Sequence, residues 1–201
     1  MSVLNDKYIQ ENLLNSPEWL KGHAADNGQL GLGLIYYSLV YSLAFEKVVC
    51  LGSGNGFVPR LMAQAFRDLG KAGEVHLVDA NNGQWGRPIW VQEDSFLRTN
   101  FPEIKIHIKT TDDAASMFGE SNTRFDWCHI DANHSHANVT RDFLNYSALL
   151  NRPNGIITIH DTLTKCGVPE FIAELSALGE WNIIKFNIGA GLALITRGEN
   201  G

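Results

Sequence analysis

The chain has 201 residues, a length that suits one α/β domain. Apolar residues make up 44% of it, enough to fill a core with helices on both faces of a sheet. The formal net charge is −6, and Lys and Arg are scattered without a run. That balance argues against a nucleic-acid duplex or an anionic membrane as main partner and for a neutral or small substrate.

The first residues, "MSVLNDKYIQENLLNS", are too polar for the apolar centre of a signal peptide, and no apolar stretch is long enough to span a bilayer. Cys50 and Cys128 fall in strand-like runs and Cys166 in a loop, with no metal spacing such as C-x-x-C. Buried, inert thiols in a reducing compartment are the expectation, so the predicted location is cytoplasmic.

Residues 1–45 read as a helical cap, with a break at Gly22 and a second helix from about Gln29 to Ala44. Residues 46–201 read as a cofactor-binding core, the two parts forming a single domain. In the core, short apolar runs occupy 47–52, 74–79, 104–109, 125–131, 155–161, 181–188 and 192–197. Helix candidates at 57–69, 88–99, 112–119, 136–150 and 168–178 lie between the first six. Pro59 suits a first helical turn, where a missing N–H costs little. Val139, Phe143, Tyr146 and Leu150 share one helix face. Such alternation requires crossovers and a parallel sheet. Only Gly189, Ala190 and Gly191 separate the last two runs, too few for a crossover, so these form an antiparallel hairpin. The predicted fold is a Rossmann-like, doubly wound, mostly parallel seven-stranded sheet with an antiparallel C-terminal hairpin strand.

The first run ends in "VVCLGSGNGF", with glycines at 52, 54 and 56. A glycine turn after the first strand lets backbone N–H groups approach a ligand closely. The dinucleotide fingerprint G-x-G-x-x-G requires a third glycine where Phe57 stands, and a P-loop requires Lys and Ser/Thr where this chain has other residues. One βα unit later "VHLVDA" ends in Asp79, placed to accept both hydroxyls of a ribose. The pair suits a nucleoside without a pyrophosphate. The bland alternatives are a tight turn and a helix-capping or solvated acid.

Together with "DWCHIDANHSH", a following helix, "RPNGIITIHD" and the terminal hairpin, these residues resemble the class I S-adenosylmethionine-dependent methyltransferases over nearly the whole chain. More narrowly, "IYYSLV", "HIDANHSH", "GIITIHDT" and "GLALITR" resemble the metal-dependent small-molecule O-methyltransferases of macrolide-sugar and catechol type. The resemblance implies that Gly52, Ser53, Gly54, Asn55 and Gly56 approach the methionine part of S-adenosyl-L-methionine and that Asp79 binds its ribose. It also implies an adenine contact from "KTTDDAA", by Thr111, Asp112 or Asp113, a choice three adjacent polar residues leave open. A helix N-cap with acids complementing the dipole reads equally well for "TTDD".

"HIDANHSH" (129–136) is the densest chemistry in the chain. If 125–131 and 155–161 are neighbouring parallel strands, Asp131 and Asp161 end side by side, on strands about 4.8 Å apart. Two such carboxylates repel unless one is protonated or a cation lies between them, and Mg²⁺ is a hard cation suited to oxygen ligands. The resemblance implies the same pair as metal ligands, with Asn or Asp usually following the second; here the residue is Thr162, a poorer ligand. It further implies His134 as general base, drawing the proton from an acceptor hydroxyl as the methyl group moves. His136 reads as a capping or solvated residue and His129 as a core histidine.

The expected activity is therefore methyl transfer to a hydroxyl of a small molecule, catalysed by His134 and Asp131 with Asp131, Asp161 and Thr162 around a metal. Small enzymes of this kind often form homodimers. Two further readings are a metal-independent methyltransferase, in which Asp131 orients the cofactor's amino group, and a cofactor-binding domain without turnover. "His129-x-Asp131…His160" also matches the facial triad of non-haem iron oxygenases, although those sites sit in all-β folds. Trp85, Arg87 and Trp90, the polar break with His23, Asp26 and Gln29, and the loop 162–170 are candidate rims of the site.

Overall fold

Seven apolar runs pair into one sheet: β1 (Lys47–Leu51), β2 (Glu74–Asp79), β3 (Ile104–Ile108), β4 (Trp127–Ile130), β5 (Ile156–His160), β6 (Trp181–Phe186) and β7 (Leu192–Arg197). The computed structural model describes residues 5–14, 17–26, 28–80, 92–151, 154–164 and 166–198. Strand order is β3-β2-β1-β4-β5-β7-β6. Pairing is parallel from β3 to β5, while β7 runs antiparallel to both β5 and β6. This is the doubly wound architecture with a reversed hairpin strand that the sequence predicts.

The chain of burial explains the patterns. Helices α2 (Gly33–Leu43) and α3 (Phe57–Leu69) pack on the face that receives Val48 and Cys50. Helices α5 (Thr111–Glu120), α6 (His136–Ser147) and α7 (Val168–Leu178) cover the other face, with Val49 and Leu51. Alternate side chains of β1 thus enter different cores, which is why its run is apolar without a polar alternation. Cys50 and Cys128 are buried thiols, and all three cysteines are free.

The N-terminal region departs from expectation. A short α1 (Asp6–Tyr8) passes into a π-helical turn at Ile9–Leu13, and a 3₁₀ helix at Pro17–His23 runs through Gly22 rather than breaking there. The break follows it. Asp26 and Gln29 exchange backbone hydrogen bonds of 3.0 and 2.8 Å, and this tight loop prevents a helix from starting at Gln29. α2 begins at Gly33 and ends where Ala44 turns left-handed, at φ 50°. Among the described residues the 88–99 candidate contracts to α4 (Phe96–Asn100), capped by Ser95. Trp85, Arg87 and Trp90 lie outside the described residues. α6 stops at Ser147, and Leu150 turns back to bridge Phe125.

Beside Val139, Phe143 and Tyr146, α6 buries Asp142, which is 1% exposed. Burial pushes this carboxyl up to about 6, with a hydrogen bond from Thr111 opposing the shift. Since the folded value lies above the unfolded one, the native state holds the extra proton between them, and stability falls as pH rises from about 4 through 6. Asp142→Asn keeps the acceptor oxygen without the charge. Urea melts are expected to show the variant about 1–3 kcal/mol more stable at pH 8, with the difference shrinking toward pH 4.

Candidate active site

Strand order reverses between β1 and β4, and a crevice forms outside the carboxyl ends of strands at such a switch. At that end of the sheet lie the glycine turn after β1, Asp79 closing β2, Asp131 just past β4 and Asp161 just past β5. Parallel registry sets these positions: Asp131 N donates to Leu51 O at 2.8 Å, and Gly52 N donates to Val78 O at 2.8 Å.

The turn itself is tightly built. Gly52, Gly54 and Gly56 have φ of 68°, 52° and 83°. A Cβ on Gly52 would stand 2.3 Å from Asp131 O, so only glycine lets the turn lie against the end of β4. Ser53 and Asn55 are buried. Asn55 Oδ1 accepts from Phe57 N at 3.2 Å, at the start of α3. From the first turn of α3, buried Arg60 donates through Nε to Gly56 O at 3.0 Å and through Nη1 to Asn12 O at 3.1 Å. Arg60 was not singled out by sequence; its one available signal is a position four residues beyond Gly56, facing back along the helix.

Around the acids the structure gathers four histidines. His134 Nε2 lies 3.2 Å from both Asp131 Oδ1 and Asp161 Oδ2. His160 Nδ1 lies 3.4 Å from Asp131 Oδ1 and 3.2 Å from Asp161 Oδ2, and its Nε2 donates to Gly22 O at 3.1 Å. His23 stacks on the His160 ring, with centroids 4.2 Å apart, and its Nδ1 meets Tyr36 Oη at 3.0 Å. Fully buried His129 holds Thr158 Oγ1 through Nδ1 at 2.8 Å, and Trp127 Nε1 donates to that same hydroxyl at 2.8 Å. Asp161 itself sits at φ 64°, a left-handed conformation that Asp and Asn adopt more readily than other non-glycine residues.

Electrostatics follow from this crowding. Burial alone would favour neutral His160, but Asp131 and Asp161 outweigh it and push the imidazole up to about 10. Its stacked neighbour His23 is driven down to about 3, first by burial and then by the charge of His160. Burial opposes the charge of Asp131, yet the charge of His160, His129 at 3.8 Å and the hydrogen bond from His134 hold it well below the usual range. His134 is raised, chiefly by its bond to Asp131.

The other predicted residues have contacts of their own. Thr110, not its neighbours, caps α5, accepting from Asp113 N at 3.1 Å. Asp112 accepts from Asn145 Nδ2 at 2.9 Å and pairs with Arg141 Nε at 3.0 Å, so its carboxylate engages α6. Thr111 gives its carbonyl to Tyr146 Oη at 3.1 Å. Thr162 is buried; a side chain on Gly191 would lie 2.4 Å from its Oγ1, so the hydroxyl abuts the terminal hairpin. His136 opens α6 and pairs with Glu174 at 2.8 Å, away from the acids.

A family model described as a methyltransferase domain matches residues 49–162, from β1 to the residue after Asp161. The chain belongs to this methyltransferase-domain family. No curated protein sequence matches it. Among solved structures, this methyltransferase is similar to the Bacillus cereus O-methyltransferase in complex with S-adenosylhomocysteine, at 16% identity and TM-score 0.71, covering 98% of this chain and 93% of that one. A Podospora anserina methyltransferase with the same ligand shares 15% identity at TM-score 0.68, covering 96% and 87%. The O-methyltransferase of tomaymycin synthesis from Streptomyces achromogenes, in complex with S-adenosylmethionine, shares 17% at 0.66, covering 96% and 95%. At these identities the likeness is one of fold. An α/β methyltransferase fold is also not the all-β scaffold that the iron-oxygenase reading needs. No helix among the described residues is long and apolar enough to cross a membrane.

Proposed function

We propose that this protein transfers the methyl group of S-adenosyl-L-methionine to a hydroxyl of a small molecule, with a divalent cation assisting. The observation that carries the reading is His134 Nε2 standing 3.2 Å from carboxylates on two neighbouring strands, at the same sheet end as the glycine turn. When bound, the cofactor supplies a methyl carbon activated by its sulfonium. The residues 52–56 suit close approach of backbone to the methionine part, and Asp79 suits the ribose hydroxyls. Asp131 and Asp161 would hold the cation, Mg²⁺ by its hardness and availability, which would lower the pKa of an acceptor hydroxyl. His134 accepts the hydroxyl proton at Nε2 as the new bond forms.

The test is transfer of radiolabelled methyl groups to a panel of sugar and phenolic acceptors, with EDTA and then with added Mg²⁺. Label in a hydroxyl, lost with EDTA and restored by the ion, supports the proposal. Activity indifferent to EDTA would select a metal-independent transfer, which one observation favours: His160 Nδ1 lies 3.4 Å from Asp131 Oδ1 and 3.2 Å from Asp161 Oδ2, where an imidazolium could stand in for a cation. Cofactor binding without transfer to any acceptor would point to a domain without turnover. Independently, Asp79→Ala is expected to weaken S-adenosylhomocysteine binding by roughly 10–100-fold in titration calorimetry, through loss of charge-assisted hydrogen bonds.

A further inference from the structure

A second group of donors shares Asp131 with the site just described. His23, Asp131 and His160 each offer one ligand atom within 4.8 Å of the others, as Asp131, His134 and Asp161 do. His23 Nε2 is 3.8 Å from Asp131 Oδ2, and His160 Nδ1 is 3.4 Å from Asp131 Oδ1. The two gaps run to different oxygens of Asp131 and are too long for good hydrogen bonds. Donors bonded to one tetrahedral ion at about 2.1 Å stand about 3.4 Å from each other, so both nitrogens would close on one shared carboxylate oxygen when an ion binds.

Each histidine is oriented by its other nitrogen. His160 Nε2 donates to Gly22 O, which leaves Nδ1 turned toward the carboxylates. His23 Nδ1 is held by Tyr36 Oη, which turns Nε2 toward Asp131. Backing of this kind fixes ring orientation in metal-ligating histidines. A third nitrogen points the same way: His129 Nε2, fully buried and without a hydrogen-bond partner among the described residues, lies 3.8 Å from Asp131 Oδ2. Gly22 is held in turn by the terminal hairpin, since Ala190 N donates to Gly22 O at 2.7 Å.

We propose that His23, Asp131 and His160 form a nitrogen-rich metal position that takes a borderline transition-metal ion such as Zn²⁺ or Co²⁺ in preference to Mg²⁺. Imidazole favours such ions, whereas Mg²⁺ favours oxygen donors, and the ion would replace the proton that His160 Nδ1 carries between the carboxylates, releasing it to solvent. The inference uses the crevice of the proposed function but not its chemistry, since it concerns binding alone.

The experiment titrates metal-free protein with CoCl₂, ZnCl₂ and MgCl₂ by calorimetry and records the visible spectrum of the cobalt form. Expected are affinities for Co²⁺ and Zn²⁺ at least tenfold above that for Mg²⁺, and the visible bands of nitrogen-ligated Co²⁺. His23→Ala should weaken Co²⁺ at least tenfold while Mg²⁺ affinity changes less than twofold; Asp161→Asn should do the reverse. His23→Gln, with the ring replaced by an amide, should lose the cobalt bands in the same way if the alanine variant does not fold. Equal affinities for the three ions, a spectrum of fully oxygen-ligated Co²⁺, or Co²⁺ binding unchanged in the His23 variants would overturn the proposal. Titration with S-adenosylhomocysteine, run separately, tests the methyltransferase reading, so failure of either is seen apart from the other.

Discussion

Replacing His134 by alanine is expected to lower kcat by about 10²–10⁴-fold while leaving the affinity for S-adenosylhomocysteine within about twofold, the range that loss of a positioned general base produces. The split follows from placement. His134 Nε2 faces Asp131 Oδ1 and Asp161 Oδ2, where an acceptor oxygen would be bound, whereas the cofactor's predicted contacts lie at 52–56 and Asp79. Single-turnover rates and calorimetry on the same preparation separate the two quantities. A variant that kept its rate would remove the base from His134, and one that lost cofactor affinity with its rate would make His134 a structural residue.

Gly52→Ala is expected to destabilise the fold by about 2–4 kcal/mol and to abolish detectable binding of S-adenosylhomocysteine. Two costs combine. A left-handed φ of 68° penalises any Cβ, and this Cβ would stand 2.3 Å from Asp131 O and 2.7 Å from Ala132 Cα. Both neighbours are backbone, so relief requires the ends of β1 and β4 to part, which moves the glycine turn away from Asp131. Gly70→Ala is the matched control: φ is 63° and nothing lies within 4 Å of the added Cβ, so only the conformational cost of about 1–2 kcal/mol remains. Urea denaturation of both variants, followed by ligand titration, checks the difference. Equal losses in the two would show that backbone overlap at Gly52 contributes nothing.

The candidate site divides into parts that local sequence could reveal and parts it could not. Asp131 and Asp161 were legible because each directly follows an apolar run, and parallel pairing must then bring both to one end of the sheet. His23 was visible only as a member of a polar break. Its position against His160 depends on Gly22 O, which accepts from both His160 and the hairpin residue Ala190. No periodicity links residues so far apart in the chain; a turn docking on another turn does. The "TTDD" acids show the converse. Sequence left Thr111, Asp112 and Asp113 equivalent, whereas in the fold Arg141 and Asn145 on α6 engage the carboxylate of Asp112, partners that exist only once α5 and α6 lie side by side.

The sequence by itself determined the strands, the reversed C-terminal strand and the glycine turn. Strands covered on both faces must be continuously apolar, three residues cannot make a crossover, and a left-handed turn against a neighbouring backbone admits only glycine. Tertiary structure alone decided the environment of Asp131. Four imidazoles from the 3₁₀ turn, β4, the loop after it and β5 converge on one carboxylate, and burial together with the charges gathered there sets which of them hold a proton. Coulomb energies depend on distance through space, and distances between residues remote in the chain come into being only when it folds.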